Sequence, residues 1–223
     1  MSGAQTAWSP VGRMHFASDA VAPQDLATAH ALALVCAPAG SAFQPLAEPG
    51  RRLVLAQRHL LLEVRSPVLY ARLRLGSHHP LPLGRVEPTI TLVQGRVPRA
   101  LLNDLKARAH KACPNEMAAL VVYERPLGYR VVSPPSESGR GHVTYDDRAI
   151  DDATLVIDSH SHGRAEAYFS ATDNASDSSR PGPYLSLVLG TCQSYQDMRA
   201  RMRLSAAPFL VDVDADLAEG VFA

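Results

Sequence analysis

A chain of 223 residues in which 46% of the side chains are hydrophobic and 20% charged can bury a sizeable core, enough for one large or two small domains. Its 22 basic and 22 acidic side chains cancel, which removes any global electrostatic argument for nucleic acid, and the longest apolar run, Ala31 to Ala37, is too short to span a bilayer. Cys36, Cys113 and Cys192 lie far apart without CxxC spacing, which argues against a disulfide framework or a cysteine-based zinc site and predicts three buried thiols.

The opening segment to about Pro23 has few periodic apolar residues and reads as loop. It lacks a basic start followed by an apolar core, so no secretory signal is expected and the cytoplasm is the expected location. Pro23-Gln24-Asp25-Leu26 and the alanine-rich stretch to about Cys36 predict a helix, closed by Pro38 and Gly40. Arg51 to Leu75 alternates apolar with polar residues, which predicts two or three antiparallel strands broken at Ser66-Pro67, and Gly76 to Pro82 reads as loop. These elements make a small N-terminal α+β domain, residues 1–94, without a recognisable catalytic constellation.

Pro98 to Cys113 is the clearest helix. Leu101, Leu102, Leu105, Ala109 and Ala112 form its apolar face, with Arg99, Asp104, Lys106, Arg108 and Lys111 mostly off it. Met117 to Tyr123 is a continuous apolar run of strand length, expected to be buried in a sheet, with Tyr129 to Ser133 as its antiparallel neighbour. Ser136 to Gly141 reads as a polar loop, His142 to Tyr145 as a strand, and Thr154 to Asp158 as the strand that delivers His160. Ser170 to about Ser176 starts a short helix, Asp173 to Gly182 otherwise reads as loop, and Tyr184 to Leu189 and Asp197 to Leu204 are strands. In the last, Arg199, Arg201 and Arg203 alternate with apolar residues, which predicts a half-exposed strand with its arginines outward.

The segment His160 to Asp173, HSHGRAEAYFSATD, carries the chemistry. Alternation along a strand projects His160 and His162 from one face, and a nearby carboxylate, Asp173, makes three ligands of a tetrahedral zinc site whose fourth position stays open to water. The pattern His-Ser-His-x7-Ser-x2-Asp should arise by chance on the order of 10⁻⁴ times in a sequence of this length and composition. Asp158 or Asp177 are the alternative carboxylates if the loop folds differently. Ser161, on the opposite face, is expected to pack rather than to ligate.

These residues resemble the JAMM motif of the JAB/MPN metallopeptidase family, a distant glutamate followed by His-Ser/Thr-His-x7-Ser-x2-Asp. Both spacers are intact, Gly163 to Phe169 and Ala171-Thr172. Upstream, CPNEMAALVVYE resembles the place where the family carries its glutamate, which makes Glu116 the matching position, with Glu124 and Glu166 as the other acidic candidates nearby. The chain departs from the family's usual pattern at Ala119, where glycine is common, and at Gly163, where proline often follows the second histidine. The resemblance runs from about Gly95 to the end. It implies an α+β fold with a C-terminal JAB/MPN-like domain, residues 95–223, in which helices flank a curved mixed sheet, behind the smaller N-terminal α+β domain.

The resemblance also implies a role for each residue. One Zn²⁺ per chain would be held by His160, His162 and Asp173. Glu116 would act as general acid/base, and Ser170 would donate to the oxyanion of the tetrahedral intermediate, although its spacing also fits a helix N-cap. The implied activity is hydrolysis of a peptide or isopeptide bond through a metal-bound water. A narrower resemblance, to the PRTRC-system protein A group of plasmid and mobile-element proteins, implies a ubiquitin-like substrate and E1-like and E2-like proteins as partners. The competing readings are a non-catalytic scaffold of the same fold and a zinc hydrolase with a non-protein substrate; no metal residue of the motif is missing, which favours an enzyme. His78-His79 reads as solvated loop, Arg164 and Arg180 as surface charge, and Asp212/Asp214/Asp216 as an acidic edge.

Overall fold

The computed structural model describes residues 7–8, 15–16 and 32–223. Strands β1 (Ala7–Trp8) and β2 (His15–Phe16) come first and β3 (Leu34–Cys36) follows. Of the helix expected from Pro23 to Cys36, residues 23–31 lie outside the described part, while 34–36 are not helical but form a strand parallel to β4 (Gly50–Leu55). Leu34 and Val35, a leucine followed by a β-branched residue, suit that pairing, and the alanines that suggested a helix lie before it.

The alternation after Arg51 resolves into three antiparallel strands, as expected, and a fourth that was not expected follows at residues 89–92. β4, β5 (His59–Arg65), β6 (Leu69–Ser77) and β7 (Thr89–Leu92) pair antiparallel in order and complete a five-stranded sheet with β3. The Ser66-Pro67 break is a turn in which the Ser66 hydroxyl accepts from the Leu69 amide at 3.1 Å. β5 is covered on both sides. Leu61 packs with Val54 and Val86, whereas Leu62 and Val64 face the main core.

Helix α1 (Arg99–Ala112) buries Leu102, Leu105 and Ala109 as its periodicity requires. It also buries Lys106, which was expected off that face. The stem lies in the packing layer and the ammonium sits 4.8 Å from the centre of the Tyr195 ring, so its charge meets an aromatic face rather than bulk water. β8 (Ala118–Glu124) and β9 (Gly128–Val132) form the expected hairpin. β10 (Ser136–Ser138) and β11 (Val143–Tyr145) form a second, smaller one. The polar sequence of β10 gives no strand signal; pairing with β11 alone makes it one.

β12 (Leu155–Ser161), helix α2 (Ala171–Ser179), β13 (Tyr184–Gly190), β14 (Arg199–Ala206), β15 (Phe209–Asp212) and helix α3 (Ala215–Gly220) complete the chain. The main sheet runs β2-β15-β14-β13-β12-β8-β9, with β1 also paired to β14. It is mixed, since β12 and β13 run parallel while β8 lies antiparallel to β12. Its apolar residues share one core with α1 and the facing side of the five-stranded sheet. The class is α+β, as expected.

Three further expectations change. α2 runs to Ser179, so most of the segment read as loop is helical. β14 leaves Arg199 exposed and Arg201 partly so, as expected, but Arg203 is buried. Only Cys192 is a buried thiol, Cys113 being partly buried and Cys36 exposed; all three are free. Among the described residues no helix is long and apolar enough to cross a membrane.

Candidate metal centre

The site forms where the end of β12 meets the start of β8. Antiparallel pairing sets His160 opposite Ala118, which brings Glu116, two residues earlier, to the same end of the sheet. The Ser161 amide donates to the Met117 carbonyl at 2.9 Å, and the Ser161 hydroxyl accepts from the Met117 amide at 3.0 Å, so this fully buried serine locks the two strands as a packing residue. The Glu116 amide donates to the Gly139 carbonyl of the β10–β11 hairpin at 2.8 Å.

Beyond β12 the chain turns sharply. The His162 amide donates to Leu189 at 2.8 Å, and Gly163 adopts φ 55°, with the Cys192 amide donating to its carbonyl at 2.8 Å. Proline's ring forbids that φ, which gives the departure at Gly163 a physical reason. A Cβ there would stand 2.4 Å from the Pro114 carbonyl oxygen. Gly163→Ala is expected to lower stability by about 1–3 kcal/mol in urea unfolding, whereas an unchanged midpoint would contradict the strained turn.

Residues 164–169 then lead to α2, whose start is fixed by a capping box. The Asp173 amide donates to Ser170 Oγ at 3.2 Å and the Ser170 amide donates to Asp173 Oδ2 at 2.6 Å. Ser170 is thus an N-cap, and a hydroxyl that accepts through a lone pair keeps its proton to donate.

His160 Nε2 and His162 Nε2 lie 3.2 Å apart. Asp173 Oδ1 is 3.1 Å from the first and Oδ2 is 3.5 Å from the second. Zinc bonds of about 2.0–2.2 Å at a tetrahedral angle would separate donor atoms by roughly 3.3–3.5 Å, so the donor set fits a small divalent cation. Burial alone would depress the His160 imidazole, but its hydrogen bond to Asp173 and the surrounding carboxylates outweigh this and raise it. Burial would likewise raise Asp173, yet the two imidazoles hold it far below the usual carboxylate range. Burial pushes Glu116 above that range, against the pull of His162 and His160.

Glu116 and Ser170 line the same cleft as His160, His162 and Asp173; its volume is about 980 Å³. The alternative carboxylates are engaged elsewhere. Asp177 is bonded to Arg203, and both oxygens of Asp158 accept from the Tyr145 hydroxyl at 2.8 and 2.9 Å. Burial, followed by the charge of Asp177, pushes Asp158 up to about 7. Glu124 pairs with Arg130 at 2.6 Å at the far end of β8, and Glu166 is exposed. Arg180, read as surface charge, is only 13% exposed at its side chain and bridges Asp147 and Asp152 at 2.8 and 3.1 Å.

Sequence reading missed the aromatic lining residues Tyr145 and Tyr168. Tyr145 comes from the hairpin, and Tyr168 stands edge-on to the His162 ring at 4.5 Å while 46% exposed. Neither carries a spacing signal.

Two family models match the chain. Residues 98–204 match the family described as "Prokaryotic homologs of the JAB domain", and residues 22–93 match a "Domain of unknown function (DUF2016)". The first match supports the JAB/MPN family, and the chain combines a JAB-like C-terminal domain with that N-terminal domain. The solution structure of protein DSY2949 from Desulfitobacterium hafniense is similar at 20% sequence identity and a TM-score of 0.41, over 52% of this chain and 88% of that one. No curated protein matches.

Proposed function

We propose that this protein is a zinc-dependent metallopeptidase or isopeptidase acting on a peptide or on the tail of a ubiquitin-like protein. The JAB match is compatible with an isopeptidase-like or a scaffold role. The observation that favours the first is the convergence of His160 Nε2, His162 Nε2 and the Asp173 carboxylate, with Glu116 on the wall of the same cleft. A surface used only for docking has no need of three acceptors crowded together, one of them buried and two nearly so.

Zinc held there would supply a Lewis acid and a water acidic enough to attack near neutral pH. Glu116 takes the proton of the attacking water on its carboxylate and passes it to the departing amine. Burial raises the proton affinity of that carboxylate, which suits a group that must hold a proton between the two steps. The Ser170 hydroxyl, fixed by the cap of α2, donates to the developing oxyanion. Tyr168 shields one side of His162 and limits water on that flank.

The division into residues 1–94 and 95–223, the E1-like and E2-like partners and a cytoplasmic setting belong to the same proposal. It is tested by incubating the zinc-loaded chain with a ubiquitin-like protein extended by a peptide at its C-terminus. Cleavage that stops with a chelator and returns with zinc is expected. A zinc-loaded chain that leaves this and unstructured peptides intact would favour the scaffold.

A further inference from the structure

α2 has almost no apolar means of attachment. Its sequence is ATDNASDSS, and the residue it buries is an aspartate, Asp177. Yet this helix must hold Asp173 against His160 and His162 to within tenths of an ångström. What fastens it is an arginine from the neighbouring sheet.

Arg203 is 1% exposed, in the middle of β14. Its Nε donates to Asp177 Oδ2 at 2.7 Å, and Nη2 lies 2.5 Å from the same oxygen. Nη1 donates to Asn174 Oδ1 at 2.5 Å, and the guanidinium lies over the Phe169 ring, 3.9 Å from its centre. The Ser205 hydroxyl adds a bond to Asp177 Oδ2 at 3.0 Å, and Ser205 in turn shares a 2.7 Å bond with Ser186 of β13. One planar cation thus grips residues 169, 174 and 177, which bracket Ser170 and Asp173 on both sides. Asp173 and Asp177, four residues apart, share a helix face, so fixing the second fixes the rotation of the first. β13 and β14 continue the sheet from β12, the strand that carries His160, so the clamp refers the carboxylate ligand to the frame that holds the imidazole.

We propose that Arg203 is the positioning residue of the metal centre, setting Asp173 through Asp177, Asn174 and Phe169. This rests on the metal-site reading above. Lysine is a poor substitute, because an ammonium can pair with Asp177 but cannot also span to Asn174 and lie flat on Phe169.

The test compares Arg203→Met and Arg203→Lys with Arg52→Met in the full chain. The last breaks a partly buried pair with Glu63 in the other sheet and so controls for a general loss of stability. Zinc affinity is measured by competition with a chromophoric chelator, and amide exchange at Asp173 and Asn174 is measured in the metal-free protein. Arg203→Met is expected to weaken zinc binding by about 10–100-fold and to speed both amides, with Arg203→Lys in between and Arg52→Met at wild-type values. Arg203→Met with wild-type affinity and exchange overturns the proposal, as does an equal loss in Arg52→Met. If Arg203→Met fails to fold, Arg203→Lys decides by the same two readouts. Wild type that takes no zinc sinks the metal reading alone, since exchange at α2 still decides whether Arg203 holds the helix.

Discussion

Glu116→Gln is expected to bind zinc as wild type does and to lose hydrolysis by about 10²–10⁴-fold, the range a positioned acid/base contributes. The substitution is nearly isosteric, and the backbone bond from residue 116 to Gly139 is unaffected. Only the capacity to take up and release a proton disappears. Zinc content and the cleavage rate of a ubiquitin-like substrate, measured on the same preparation, check this. A zinc-loaded Glu116→Gln variant that cleaves at the wild-type rate would sink the acid/base assignment.

His160→Ala and Asp173→Ala are each expected to lose both metal and activity. Either removes one of three protein donors, and two remaining donors do not fix a tetrahedral ion. Asp173→Ala also breaks the capping box of α2, a separate cost of about 0.5–2 kcal/mol. Asp173→Asn separates the two effects, because an amide oxygen can still accept from the Ser170 amide while offering the metal no charge. It should restore most of the lost stability but little of the zinc. Asp173→Asn with wild-type affinity would show that this carboxylate is not a ligand.

Much of the site could be read from sequence because its parts obey local periodicities. Alternation in an extended segment places His160 and His162 together, and a serine three residues before an aspartate is a helix start whether or not it is also catalytic. The continuous apolar run after Glu116 predicts a buried strand, and β8 is one.

What escaped depends on partners remote in sequence. Ser136 to Ser138 is a strand only because Val143 to Tyr145 lies beside it. Lys106 and Arg203 are charged residues that local pattern sends to solvent, yet Tyr195 and the Asp177–Asn174–Phe169 group give each an interior partner. A cation inside a fold is set by who faces it, and that information is tertiary. The exposed Cys36 is a related case, since flanking apolar residues cannot tell a strand at the margin of a sheet from one at its centre.

The most direct measurement is zinc per chain by elemental analysis, with wild type and Asp173→Ala purified identically without a histidine tag. About one equivalent in wild type and little in the variant is the expected result, as the three-donor site of His160, His162 and Asp173 requires. Equal zinc in both, or none in either, would contradict the metal centre and leave the scaffold reading in its place.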